Sequence, residues 1–122
     1  MSVPNQLILS KEVEEVLRNA REIYGNAHEV VVCMGELSEL SSVLAKYQRY
    51  CEEDEAVSEL RASVLGEVAD VMISLNHVMS IFKLDDETVS LMVNAKAGRL
   101  ARWLSKSSSP EETIRDRAIT QE

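Results

Sequence analysis

Two short stretches decide how this chain folds: Met34-Gly35-Glu36-Leu37-Ser38-Glu39-Leu40 and Leu65-Gly66-Glu67-Val68-Ala69-Asp70-Val71. Each is a glycine followed by an acidic pair three residues apart, set among apolar side chains, with 27 residues between Glu39 and Glu67. At 100° per residue, Cys33, Leu37, Leu40, Leu44 and Tyr47 form one apolar stripe, and Glu36 and Glu39 lie about 60° and 120° to its side. Around the second stretch, Val64, Val68, Val71, Leu75, Val78 and Phe82 form a stripe, with Glu67 and Asp70 about 60° and 120° off it in the same direction. The same acidic pair beside the same kind of stripe is written twice. Two amphipathic helices packed antiparallel would bring the four carboxylates together. The far side of the first helix, Ser38, Ser41, Ser42, Ala45, Gln48 and Arg49, reads as solvated. A glycine inside a helix costs roughly 1 kcal/mol relative to alanine, and close backbone approach at Gly35 and Gly66 is the expected reason for both.

The rest of the chain organises around this pair. Ser10 is an N-cap candidate for a first helix carrying Val13, Val16, Leu17, Ala20, Ile23 and Tyr24 at helical spacing. Gly25 ends it, and Asn26 with Glu29 reads as a capping box opening helix 2, which runs to about Tyr50. An acidic connection, Cys51 to Glu55, precedes helix 3, expected from about Ala56 to Lys83. Asp85 or Asp86 caps helix 4, expected to end near Leu104. Ser105 to Ser109 reads as a polar linker, and Ser109-Pro110-Glu111-Glu112 as the start of a short final helix. The expectation is an all-α protein: a bundle of four main helices over residues 1–104 and a polar tail over 105–122. Leu65, Met72 and Met79 form a second apolar line on helix 3. A helix apolar on most of its circumference is covered from more than one side, so the bundle is expected to be completed by oligomerisation, as a dimer or a tetramer.

Composition narrows the function classes. A chain of 122 residues is one domain in size. Four glycines and two prolines provide too few turns for an all-β fold. A net charge of −8, from 13 basic and 21 acidic side chains, argues against a nucleic-acid binder, whose affinity rests on clustered Lys and Arg. Cys33 and Cys51 lack CxxC spacing and read as reduced thiols. The N-terminus has no basic-then-apolar leader pattern, and no run of 18 apolar residues occurs, so a soluble, cytoplasmic protein without a membrane anchor is expected.

Four carboxylates in a partly apolar site repel one another and must take up protons or hold a cation. Oxygen-only ligation favours a hard ion, Mg²⁺ or Mn²⁺, which keeps waters and accepts phosphate oxygens. A di-iron centre would want Glu-x-x-His on its helices. His28 and His77 stand about 12 Å and 15 Å along their helices from Glu36 and Glu67, too far to serve as ligands.

Glu-x-x-Glu on one helix and Glu-x-x-Asp on the next, flanked by Gly-Glu-Leu and Gly-Glu-Val, resembles the MazG-like all-α nucleoside triphosphate pyrophosphatases. The similarity spans roughly Val13 to Trp103. It implies a Mg²⁺-dependent pyrophosphohydrolase that converts a nucleoside triphosphate to the monophosphate and pyrophosphate, with Glu36, Glu39, Glu67 and Asp70 as metal ligands. Within that set Glu39 is the expected general base, beside Glu36. The segment Val93-Asn94-Ala95-Lys96-Ala97-Gly98-Arg99 is similar to the family's basic stretch after the second acidic pair. It implies that Lys96 and Arg99 contact phosphates and Asn94 makes a polar contact with substrate. His28 stands near where relatives carry a glutamine that holds the base. Trp103, Tyr47 and Tyr50 read as packing residues. A second reading uses the same acids without chemistry: a non-catalytic helical oligomer that binds a nucleotide or a partner helix.

Overall fold

The computed structural model describes residues 9–49 and 54–106. Four helices make up this part of the chain: α1 (Lys11–Tyr24), α2 (Asn26–Arg49), α3 (Asp54–Ile81) and α4 (Asp86–Lys106). No strand occurs among the described residues, so the protein is all-α as its sparse turn chemistry implies. The expected end of helix 2 at Tyr50, the connection through Cys51, Glu52 and Glu53, and the tail beyond Lys106 lie outside the described residues.

The helix boundaries follow local chemistry. Ser10 Oγ accepts a hydrogen bond from the Val13 amide at 3.2 Å and caps α1. Gly25, at φ 92°, closes α1 with its amide on the Arg21 carbonyl, a backbone conformation that suits only glycine. Its carbonyl accepts from Glu29 N at 3.3 Å, so one residue ends α1 and starts α2. The capping box expected of Asn26 and Glu29 is replaced: the Glu29 carboxylate turns to His77 on α3. Helix α3 stops at Ile81 rather than Lys83, because Lys83 takes a left-handed φ of 57° with its amide on the Ser80 carbonyl. Asp85, not Asp86, caps α4, accepting from the Thr88 amide at 2.7 Å. This bond holds its carboxyl below the ordinary value of 3.8. Helix α4 continues to Lys106, two residues past Leu104, which takes Ser105 and Lys106 out of the expected linker.

Among the described residues the chain divides into two compact units, one up to Lys83 and one from Leu84 onward. In the first, α2 and α3 pair along most of their length and α1 joins both. The buried apolar residues are Leu17, Cys33 and Val71, joined by three buried polar ones, Glu29, Ser74 and His77. Here the structure corrects the expected stripes. Leu37, Leu44, Leu75 and Phe82 are exposed, Phe82 to 63%, while Glu36 and Glu67 are half-buried. The two helices meet on sides turned toward the acidic pairs, which leaves much of each apolar stripe outside the contact. The solvated side of α2, from Ser38 to Arg49, is exposed as expected.

The close approach expected at the glycines is also corrected. Gly35 and Gly66 are exposed, and a Cβ added at either meets nothing within 4 Å. By length and composition, α3 over Val57–Ile81 is long and apolar enough to cross a membrane. Its Glu67 and His77 nevertheless engage polar groups of α2. The second unit holds α4, whose Val89, Leu100 and Trp103 are half-buried and whose Met92, Val93 and Leu104 are exposed.

Candidate functional site

The antiparallel pairing of α2 and α3 gathers the four acids into one layer. Glu36, Glu67 and Asp70 each offer a carboxylate oxygen, all within 4.8 Å of one another. Glu39 lies close enough to Glu36 and Glu67 for its carboxylate to act on both. Two of the oxygens, Oε2 of Glu36 and Oε2 of Glu67, are buried and have no hydrogen-bond partner. A buried carboxylate oxygen with no donor is costly, because it has lost water and gained nothing.

The electrostatics follow from this crowding. Burial pushes the Glu36 carboxyl above the ordinary 4.5, and the charges of Asp70, Glu39 and Glu67 push it further. Burial likewise raises Glu67, reinforced by Glu39 and Asp70. Like charges this close cannot all ionise without compensation. No Lys, Arg or His among the described residues forms an ion pair with any of the four. The donor set is oxygen only, which suits a hard divalent cation and fits the two orphaned oxygens.

A second polar layer lies one heptad away. Seven residues before Glu36 is Glu29, and seven after Asp70 is His77. Glu29 Oε2 stands 3.5 Å from His77 Nε2, with both side chains almost wholly buried. From α1, Arg21 Nη1 reaches His77 Nδ1 at 3.0 Å. A guanidinium has only donors, so Nδ1 accepts, the ring is neutral, and its Nε2–H faces the Glu29 carboxylate. Burial, helped by the Arg21 charge and opposed by Glu29, holds the imidazole below its ordinary 6.5.

Neither Glu29 nor Arg21 stands out in the sequence as more than a helix-end residue, and His77 reads there as structural. The signal was nonetheless present: the register that opposes Glu36 to Asp70 also opposes Glu29 to His77. His28, at the exposed start of α2, lies against Tyr24 with ring centroids 5.3 Å apart. Asn94, Lys96 and Arg99 lie on α4 in the second unit, all three exposed. Tyr47 is half-buried on α2. Comparison with known proteins finds no matching family model, no matching curated protein and no matching solved structure.

Proposed function

We propose that this chain is a Mg²⁺-dependent nucleoside triphosphate pyrophosphohydrolase, with Mn²⁺ as an alternative ion, that cleaves a nucleoside triphosphate to the monophosphate and pyrophosphate. The observation that carries the reading is the acidic layer with its two buried, partnerless oxygens. Glu36, Glu39, Glu67 and Asp70 are the residues that would hold the cation. When bound, the ion supplies charge neutralisation for a triphosphate and polarisation of its α-phosphorus. The sequence resemblance to MazG-like pyrophosphatases supplies the substrate class.

In this reading Glu39, exposed at the edge of the layer, accepts the proton of the water that attacks the α-phosphorus. The oxygen bridging the α- and β-phosphates leaves with pyrophosphate. Lys96 and Arg99 pair with phosphate oxygens, and Asn94 makes a neutral contact to substrate. The protein works in the cytoplasm, away from membranes and nucleic acid.

Self-association belongs to the same proposal. Three buried apolar side chains are a small core, and Val16, Ile23, Val31, Met34, Leu65 and Leu91 are each at least 60% exposed. A second copy of the chain is the partner that covers them, and light scattering on the purified protein reads its stoichiometry. The activity is tested by pyrophosphate release from a panel of ribo- and deoxynucleoside triphosphates, with and without Mg²⁺. Metal-dependent release from at least one substrate is the expected result. Metal-dependent nucleotide binding with no release across the panel favours the non-catalytic oligomer instead.

A further inference from the structure

We propose that Glu29, His77 and Arg21 are positioning residues: their buried layer fixes the register of α3 on α2 and thereby assembles the acidic layer one heptad away. This deepens the metal reading and rests on it only for its second readout.

Apolar packing alone does not select the observed register. The seam buries few large side chains, and α3 offers apolar residues on several sides, with Leu65, Ile73 and Leu75 exposed. Sliding α3 by four residues in one direction would set Glu29 against Ile81, Glu36 against Ser74 and Glu39 against Val71. The opposite slide would set Glu29 against Ile73, Glu36 against Gly66 and Glu39 against Ser63. Either move trades apolar contacts for similar ones, so burial discriminates weakly.

The acidic layer cannot select it either. Before a cation arrives, bringing Glu36, Glu67 and Asp70 within 4.8 Å is repulsive, so this layer on its own favours sliding apart. What opposes the slide is the layer at His77. There a slid helix would bury the Glu29 carboxylate against an isoleucine, without its Nε2–H partner. Buried polar pairs at a helix seam are the best attested devices for fixing register. Arg21 completes this one: by donating to Nδ1 it fixes the tautomer that presents Nε2–H to Glu29. Three helices meet at one imidazole, and the pairing it selects is the one that gathers the four carboxylates.

The test uses the full chain with Cys33→Ala and Cys51→Ser, carrying nitroxide labels at Ser42→Cys on α2 and Ser80→Cys on α3. Both positions are exposed and stand about 24 Å apart along the seam, so a slide changes their separation almost one for one. Excess unlabelled chain confines the measured distances to one chain. The parent and Glu29→Gln, which keeps an acceptor for Nε2–H, are expected to give one electron–electron distance population. Glu29→Leu/His77→Leu is expected to keep its helix content by circular dichroism but to add a second population, displaced by about 5 Å for a slide of one turn. A single population in the double variant, at the parent's distance, overturns the proposal. Should the double variant lose its helices, nitrogen NMR of His77 in the unlabelled wild-type chain decides. A neutral ring protonated at Nε2 is expected, and an Nδ1–H ring overturns the proposal.

Mn²⁺ binding is the second readout. It is expected to weaken about tenfold or more in the double variant and to recover in Glu29→Gln. If the wild-type chain binds no Mn²⁺, the metal reading fails while the distances still judge the register.

Discussion

The α2–α3 seam contains two acidic positions on one helix, a heptad apart, Glu29 buried and Glu36 half-buried, with opposite surroundings. Glu29 meets an imidazole N–H, and a guanidinium stands behind the ring. Glu36 meets only other carboxylates, and one of its oxygens meets nothing. The same pair of helices withdraws Glu29 from water almost wholly and Glu36 in part, yet the sharper contrast lies in their partners. The difference is whether the chain itself supplies the compensating group. At Glu29 it does, and the layer is complete. At Glu36 it does not, and the proposed cation would supply that charge.

The sharpest way to break this contrast is to remove one ligand of the incomplete layer. Glu36→Gln or Asp70→Asn should abolish both Mn²⁺ binding and pyrophosphate release while leaving circular dichroism unchanged. Retained turnover in either purified variant would remove the metal reading. Glu39→Gln should weaken the cation less than Glu36→Gln does, since Glu39 is exposed and outside the three carboxylates within 4.8 Å of one another, but should lose about 10²- to 10⁴-fold in kcat, as expected for a missing general base.

In the complete layer the loss should appear in stability instead. His77→Ala leaves Glu29 buried without its donor and should cost about 3 kcal/mol in urea unfolding. The Leu/Leu replacement of Glu29 and His77 should cost far less, because no buried carboxylate is then left unpaired and Arg21, half-buried, can turn to water.

The two layers should also answer pH with opposite signs. His77 has a folded value below its ordinary 6.5, so the unfolded chain binds the proton more readily, and this layer loses stability as pH falls below 6.5. Glu36 and Glu67 are raised above 4.5. Their contribution is fully present below 4.5 and is lost as pH rises through their folded values. Metal-free wild type should therefore be less stable than Glu36→Gln/Glu67→Gln at neutral pH and gain on it as pH falls toward 5. Added Mg²⁺ should stabilise wild type alone. Urea midpoints across pH, with and without Mg²⁺, check all three statements.

Smaller effects are expected away from the seam. Gly35→Ala and Gly66→Ala should each stabilise the isolated chain by about 0.5–1 kcal/mol, since each site is a helix interior with open space around it. If either alanine instead weakens self-association, the surface at that glycine packs against a second copy. Lys83→Gly should add about 1 kcal/mol by relieving a left-handed φ at a non-glycine residue. Thermal unfolding followed at 222 nm resolves changes of this size.

Much of this organisation is legible in the residues themselves. The doubled Gly-Glu motif gives the antiparallel pair and the acidic layer, because a side chain's angle around a helix follows from its number. Ser10, Gly25 and Asp85 mark helix ends through local hydrogen bonding alone. The rotation of each helix about its own axis is not legible in this way. Leu37 and Leu44 look like seam residues by periodicity, yet the seam passes through Glu36 and Cys33. On a helix apolar over most of its surface, hydrophobicity does not say which part the chain covers itself. The partner of Glu29 was hidden for a different reason. A glutamate three residues into a helix has a ready local explanation, and His77 lies 48 residues further along the chain.

Gly25 joins α1 to α2 with a single residue, so α1 behaves as a lever pivoted at that glycine. The arm is about 21 Å long for its 14 residues. A swing of about 10° would carry the far end near Lys11 through nearly 4 Å but move Arg21, one turn from the pivot, by only about 1 Å. A tilt of this size would therefore disturb contacts at the outer end of α1 before the one between the guanidinium and the imidazole.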